Sequence, residues 1–281
     1  MVFIVAAEAM AMTKPVPARA AGYFGELPAP QFLRGTFSST WIHRMPKAGA
    51  PPVIVTPDGT IDLQWIDRTF RVAGPDKDPM IENLPAGTTV VGFRFQPAAA
   101  ATWLGVPANQ IVGQRLSLQE LWGPRACGMS GKVRDNRNIA ELIVALQSVI
   151  AAFPANHAPT DEPMRAAYNL IQAGAPSGLA LVPWLGRALA MSERTLRRRF
   201  DESFGYGPKT LDRILRYQRF LRLVRLSQGS AAILAVEAGY SDQPHLVRES
   251  RRLAGCTPLE VERTMRMGGG SDETLSVACV D

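Results

Sequence analysis

From residue 22 to about 97, apolar and polar residues alternate over short runs broken by turns, the period of half-buried strands. In the stretch 88–96, Val91, Phe93 and Phe95 fall on one side and Gly92, Arg94 and Gln96 on the other. Val53 and Val55 precede the triplet Pro57-Asp58-Gly59, and Ile61, Leu63 and Trp65 follow it. Pro fixes φ, Asp bonds its own backbone and Gly permits positive φ, so the triplet predicts a turn and the whole a hairpin. Two or three further strands are expected within residues 35–43 and 69–73. A small antiparallel sheet or barrel results.

Past residue 97 the period lengthens to that of a helix. Residues 98–104 read as a short helix stopped by Gly105. Residues 117–122 read as another, with Ser117 as cap and Glu120 three residues on, the capping-box spacing. Residues 124–138 are polar and contain glycine, and read as a linker. A helix over 139–153 carries Leu142, Ala145, Leu146, Val149 and Ile150 along one stripe. Such a stripe needs a partner, either the protein's own β-domain or a second copy of the chain. A Pro-rich break follows, then a helix over 164–173 leading to a hinge at 174–178.

In the C-terminal third the pattern repeats. The run Leu185-Gly-Arg-Ala-Leu-Ala-Met-Ser-Glu-Arg-Thr-Leu-Arg-Arg-Arg-Phe200 is followed by Gly205-Tyr-Gly-Pro208. Leu234-Ala-Val-Glu-Ala-Gly-Tyr-Ser-Asp-Gln-Pro-His-Leu-Val-Arg-Glu-Ser250 is followed by Gly255-Cys-Thr-Pro258. The offset is 49 and becomes 50 after one extra residue in the second run, which points to a duplicated helical unit. Each copy reads as helix, tight turn, helix. Ala190 or Gly239 makes the turn, and Ser192 or Ser241 is expected to cap the second helix. In the first copy Leu196 and Phe200 lie four apart and face inward, so Arg194, Arg197 and Arg198 face outward. In the second, Leu246 faces in, and Pro244, Val247, Arg248 and Arg251 face out, with Gln243 near the helix start. Arg can grip guanine with two bonds, Gln can pair with adenine, and an aliphatic group meets the thymine methyl. A solvated basic face is the plainer reading of one such helix; two in register favour a duplex partner.

These residues carry a resemblance. Ser192-x-Arg-x-Leu-x-Arg-Arg-Phe200, Gly205-x-x-Pro208, Gly239-Tyr-Ser-Asp-Gln-x-His-Leu-x-Arg248 and Gly255-x-Thr-Pro258 resemble the DNA-binding domain of the AraC/XylS family of transcription regulators. The likeness covers about ninety residues. It implies two units joined by one long helix, here residues 210–227, entering successive major grooves. Two departures stand out. Ser250 occupies the place of an apolar aromatic matching Phe200, and Pro183 lies within the first helix, which it permits only near the first turn. Residues 35–123 are similar to regions preceding AraC-type domains in bacterial regulators, through Trp41, Pro57-Asp-Gly-x-x-Asp-Leu63, Gly92-Phe-Arg-Phe-x-Pro97, Leu104-Gly-Val-Pro107 and Leu121-Trp-Gly123. No functional residue carries over from that region.

The expected fold class is α+β: an N-terminal small antiparallel β domain with short helices, and a C-terminal all-α domain of two helix-turn-helix units joined by a long helix. The expected divisions are a disordered extension (1–21), a β-rich regulatory domain (22–123), linker and helices with a dimerisation role (124–177), the DNA-binding domain (178–267) and a disordered tail (268–281). Val2 to Ala11 is apolar, but Lys14 and Arg19 follow it rather than precede it, so no signal peptide is expected. Translation from a later start, Met10 or Met12, is the other reading of that stretch.

Charge sharpens this division. The chain has 281 residues and a net charge of +6. Residues 178–267 hold 16 Lys/Arg against 9 Asp/Glu, a net +7; residues 1–177 hold 15 against 13, and the tail none against 3. The positive charge therefore sits on the repeated helices, as duplex binding requires. Three scattered cysteines make neither a disulfide framework nor a zinc site. No apolar run reaches bilayer length.

The three histidines, His43, His157 and His245, have no metal-binding spacing, and no nucleophile elbow or phosphate loop is present. Asp58 and Asp62 with Arg94 would make an acid-and-cation site, although the turn accounts for Asp58. Trp41, Trp65, Phe93 and Phe95 would line a ligand pocket, although plain core is the commoner use of strand aromatics.

The reading is a bacterial, cytoplasmic, sequence-specific transcription regulator without enzyme activity or cofactor. Ser192 caps the first recognition helix. Arg194, Arg197 and Arg198 read bases or clamp phosphates, Gln243, Val247 and Arg248 do so from the second helix, and Lys209, Arg219 and Arg251 are candidate phosphate contacts. Expected partners are double-stranded DNA, RNA polymerase, a small-molecule effector in the N-terminal domain and a second copy of the chain, with no membrane. The alternative is a sensor or residual enzyme in the β-domain that uses the helical part for docking.

Overall fold

A computed structural model describes residues 15–133, 138–153, 160–176, 178–227 and 229–267. Its strands are β1 (Val16–Pro17), β2 (Tyr23–Pro28), β3 (Phe37–Arg44), β4 (Val53–Val55), β5 (Asp62–Ile66), β6 (Thr69–Ala73), β7 (Met80–Glu82), β8 (Thr89–Phe95) and β9 (Arg115–Ser117). Six form one antiparallel sheet in the order β2-β3-β8-β5-β6-β9. The rest form a small sheet in which β4 lies between β1, parallel, and β7, antiparallel.

Alternation assigns the faces of the large sheet. Phe37, Leu63, Phe70, Val72, Val91, Phe93 and Phe95 point to one side and are buried. Against them pack α1 (Ala100–Leu104), α2 (Leu118–Trp122), α3 (Pro124–Ser130) and α4 (Ile139–Ala151). Leu146 and Ile150 place the apolar stripe of α4 in this same core, so the β-domain is the stripe's partner. Ser117 makes the expected capping box with Glu120. Trp65, Phe93 and Phe95 are core, whereas Trp41 lies on the opposite face.

Three expectations need correction. The predicted hairpin across Pro57-Asp58-Gly59 does not form, because β4 and β5 belong to different sheets and the turn carries the chain from one to the other. Residues 124–130, expected in a linker, form α3: Pro124 sits in its first turn and Ala126 and Met129 are buried. The extension expected to be disordered over 1–21 is ordered from residue 15, because β1 adds to β4 and Ala21 is buried. The remainder of that extension, and the tail 268–281, lie outside the described residues.

The second core is helical. It joins α5 (Glu162–Ala173), α6 (Leu181–Ala188), α7 (Glu193–Phe204), α8 (Pro208–Leu226), α9 (Ala231–Ala238), α10 (Gln243–Ala254) and α11 (Pro258–Met267). The segment 124–177 is thus shared between the two domains: α4 packs with the sheet, and α5 packs with the helices through Met164, Ala167, Tyr168 and Ile171. Pro183 falls in the first turn of α6, where its missing N–H costs no helical bond.

Ser250 is fully buried, and its hydroxyl meets the Tyr217 hydroxyl at 3.0 Å and the Cys256 carbonyl at 2.8 Å. Tyr217, from α8, is also fully buried. A tyrosine of the joining helix and a serine of α10 therefore take the place of one aromatic on α10. Ser250→Ala would strand the Tyr217 hydroxyl, which costs about 1–3 kcal/mol. Chemical denaturation should show that loss, and Tyr217→Phe added to it should recover part of the loss rather than deepen it.

Candidate nucleic-acid interface and the cavity behind it

The two repeated units share their local chemistry. In the first, α6 ends at a turn with Ala190 at φ 52°, and Met191 N–H donates to the Gly186 carbonyl at 2.8 Å. Ser192 Oγ then accepts from the Thr195 N–H and caps α7. In the second, Gly239 turns at φ 93°, and Tyr240 N–H donates to the Ala235 carbonyl at 2.9 Å. The cap there is Asp242, which accepts from the His245 N–H at 2.7 Å; Ser241, expected in that role, bonds Asp242 and His245 side chains instead. The extra residue of the second unit moves the cap one place on, and a carboxylate suits the positive end of a helix. Both recognition helices run for 12 residues and stop at left-handed glycines, Gly205 and Gly255.

Leu196, Phe200 and Leu246 are fully buried, which turns the opposite faces outward. Arg194, Arg197 and Arg198 are exposed, as are Gln243, Arg248 and Arg251, with Val247 half-buried and Lys209 exposed at the start of α8. Arg197 pairs with Glu193 at 3.2 Å and Arg198 with Glu202 at 2.8 Å, on side chains 61% and 64% exposed. Exposed pairs of this kind hold by at most about 1 kcal/mol and yield readily to a phosphate or base. Arg219 is otherwise employed. Its guanidinium donates to the carbonyls of Ala238 and Gln172, both at 2.9 Å, tying α8 to α9 and α5. The phosphate role expected of it is corrected accordingly. The neighbouring Arg199 pairs with Asp161, the cap of α5, at 2.5 Å.

The β-domain rests on the other side of these helices. The tip of the Pro57–Asp58–Gly59 turn meets α8, where a β-carbon on Gly59 would lie 3.2 Å from Leu211, and Gln218 donates to the Pro57 carbonyl at 2.7 Å. A β-carbon on Gly205 would lie 2.5 Å from Val112, and one on Gly255 3.4 Å from Ile54. The domain thus abuts both recognition helices at the glycines that end them.

Between the polar face of the large sheet and α8 and α11 lies a cavity of about 500 Å³. Its floor is charged. Arg94 reaches Asp62 through Nε at 3.2 Å, Asp58 through Nη2 at 3.0 Å and Glu26 through Nη1 at 3.2 Å. Trp41 Nε1 donates to Asp62 at 3.2 Å. Arg115 reaches Asp76 at 2.8 Å and Glu82 at 2.6 Å, and Arg71 reaches Glu82 at 2.8 Å and Gln64 at 2.7 Å. The acid-and-cation grouping of Asp58, Asp62 and Arg94 therefore exists; Arg71, Arg115, Asp76 and Glu82 went unread. Their one sequence signal is a charged residue beside core residues on β6 and β9, which marks a second face that something covers.

Burial pushes the Asp62 and Asp76 carboxyls up, against the pull of Arg94 and Arg115. Burial alone would raise Glu82 too, but Arg71 and Arg115 together hold it below the ordinary value.

A duplicated helix-turn-helix with two outward-facing sets of cations, packed on a β-rich domain, defines a DNA-binding regulator. Residues 185–264 match the family described as a helix-turn-helix domain, and residues 26–117 match a domain of unknown function, DUF6597. The C-terminal domain is of the AraC type, and the protein is a DNA-binding transcriptional regulator. Among solved structures, a regulator with an AraC-type DNA-binding domain from Chromobacterium violaceum is 26% identical, over 39% of this chain and 96% of that one, with a TM-score of 0.36. A probable AraC family regulator from Rhodopseudomonas palustris is 22% identical, over 37% and 96%, at 0.33. ToxT from Vibrio cholerae is 10% identical, over 86% and 97%, at 0.47. A search of curated proteins gives no match. Among the described residues no helix is long and apolar enough to cross a membrane.

Glu82→Gln keeps the shape and removes the charge that pairs with two arginines, at a cost of roughly 3 kcal/mol near neutral pH. Because Glu82 is held low in the folded protein, its contribution is complete above the ordinary value of 4.5 and fades as pH falls through the depressed one. Denaturation curves of wild type and variant should therefore converge in acid.

Proposed function

We propose that the chain reads two successive major grooves of duplex DNA with α7 and α10 and controls transcription from that site, acting on RNA polymerase in the bacterial cytoplasm and carrying no catalytic activity of its own. The observation that supports this most is the repeat itself: two 12-residue helices with matching turns and outward cations. They are joined by α8, whose 19 residues span about 28 Å. Adjacent major-groove sites on one side of a duplex are about 34 Å apart. Ser192 fixes the start of α7. Arg194, Arg197 and Arg198 on α7, with Gln243, Val247 and Arg248 on α10, face the base edges. Lys209 and Arg251 take phosphates.

The cavity between the domains supports a second role, response to a small-molecule effector. Its volume suits a small ligand, and its walls come from both domains. A ligand there would bear at once on the sheet and on the helix that sets the separation of α7 and α10. A second copy of the chain is an expected partner, although the α4 stripe, open to either a second copy or the β-domain, is used within the β-domain.

Fluorescence anisotropy on the full chain tests the DNA reading. Arg197→Ala and Arg248→Ala should each weaken a cognate duplex by about 1–3 kcal/mol and relax preference at one base pair. Lys209→Ala should weaken all duplexes alike and lower the salt slope by about one. Unchanged binding in both arginine variants would contradict the assignment.

A further inference from the structure

Charge is spread unevenly around the cavity. Its lining includes six arginines and four carboxylates. On the sheet side the two signs meet: Arg94 holds Asp58 and Asp62, Arg115 holds Asp76 and Glu82, and Arg71 shares Glu82. The helical side contributes Arg219, Arg222 and Arg225 and no carboxylate. These three stand three residues apart along α8 and share one side of it. Arg219 and Arg225 donate to backbone carbonyls, which carry no net charge. Arg222 has no hydrogen bond or ion pair among the described residues. The positive excess of the lining therefore lies on the helical wall and is open at Arg222.

A second observation comes from the sheet. Gln64 lines the cavity and is only 7% exposed. Its Oε1 accepts from Arg71 Nε at 2.7 Å, which orients the amide and leaves its Nε2 without a partner among the described residues. Arg71 stands directly across the strand pair from Gln64 and spends Nη2 on Glu82, so its Nη1 is free among them too. Every carboxylate of the lining, by contrast, already accepts from an arginine. Gly92 lies between Gln64 and Trp41 in the sheet, and the Trp41 ring covers it, since a β-carbon there would lie 2.0 Å from that ring. Trp41, Val90, Phe24 and Leu84 make an apolar patch on the cavity wall.

We propose that the cavity binds a small organic anion, a carboxylate on an apolar body, with its charge met by Arg222, its acceptors by the free donors of Gln64 and Arg71, and its body by the Trp41 patch. This rests on reading the cavity as an effector site. An ionised carboxylate only accepts hydrogen bonds, so it complements donors that lack an acceptor. A guanidinium can grip it with two parallel bonds. An ammonium group would instead meet carboxylates that arginines already hold, with three more arginines facing it from α8.

Isothermal titration calorimetry on the full chain near neutral pH compares 4-phenylbutyrate, 4-phenylbutanol and 4-phenylbutylamine, probes of like size and different charge. The carboxylate should bind at least about tenfold tighter than the other two. Arg222→Met should weaken it about tenfold and leave the alcohol nearly unchanged, and Gln64→Leu should also weaken it about tenfold. If Gln64→Leu fails to fold by circular dichroism, Arg222→Met, at an exposed position, carries the comparison alone. Carboxylate binding that ignores Arg222→Met would overturn the proposal. Tightest binding by the alcohol or the amine would overturn the anion and keep the effector reading, and binding by none of the three would overturn both. Carboxylate binding as expected, with duplex affinity unchanged on the same samples, would keep the anion and overturn the effector reading.

Discussion

A guanidinium taken out of water must be paired, and Arg94 is where this structure meets that requirement. It lies on the central strand β8 and gathers Asp62 from β5, Glu26 from β2 and Asp58 from the turn after β4. Burial opposes its charge, but the three carboxylates more than offset this and hold the proton above the ordinary arginine value. The grip on Asp58 has a remote consequence. It fixes the turn whose tip, Gly59, rests on Leu211, Ile214 and Leu215 of α8. One ion cluster thus braces the sheet and sets the surface on which the DNA-binding domain sits.

The contact between domains follows the duplication. Gly205 and Gly255 occupy equivalent places, each ending a recognition helix in the left-handed region, where glycine alone is unstrained. Neither has a side chain, so Val112 and Ile54 of the β-domain approach closely. The outward cations of both helices stay exposed, Arg251 in the last turn of α10 included. The β-domain can therefore bear on the relative placement of the two units without covering their exposed cations.

Much of this was legible in the chain. Period-two alternation separated the two faces of β8, and period-3.6 spacing separated Leu196 and Phe200 from the arginines between them. Both readings depend on neighbours close in sequence. What depends on distant partners was harder to see. Turn chemistry at Pro57-Asp58-Gly59 located the turn but not which strands pair, and β4 went to another sheet. Arg71, Arg115, Asp76 and Glu82 lie on separate elements, and only the sheet order brings them together. Arg219 looked like any exposed helix cation until the carbonyls of Ala238 and Gln172 were in place. Ser250 looked like a packing defect because Tyr217, which fills its space, lies 33 residues away.

The central claim is that two helix-turn-helix units in one chain read DNA together. Selection from a randomised duplex pool with the full chain, at near-physiological salt, tests it directly. The account predicts a recovered site with two preferred blocks about 10 base pairs apart, centre to centre. A single preferred block would contradict it by reducing α10 to a backbone contact, and recovery of no preferred sequence would contradict it outright.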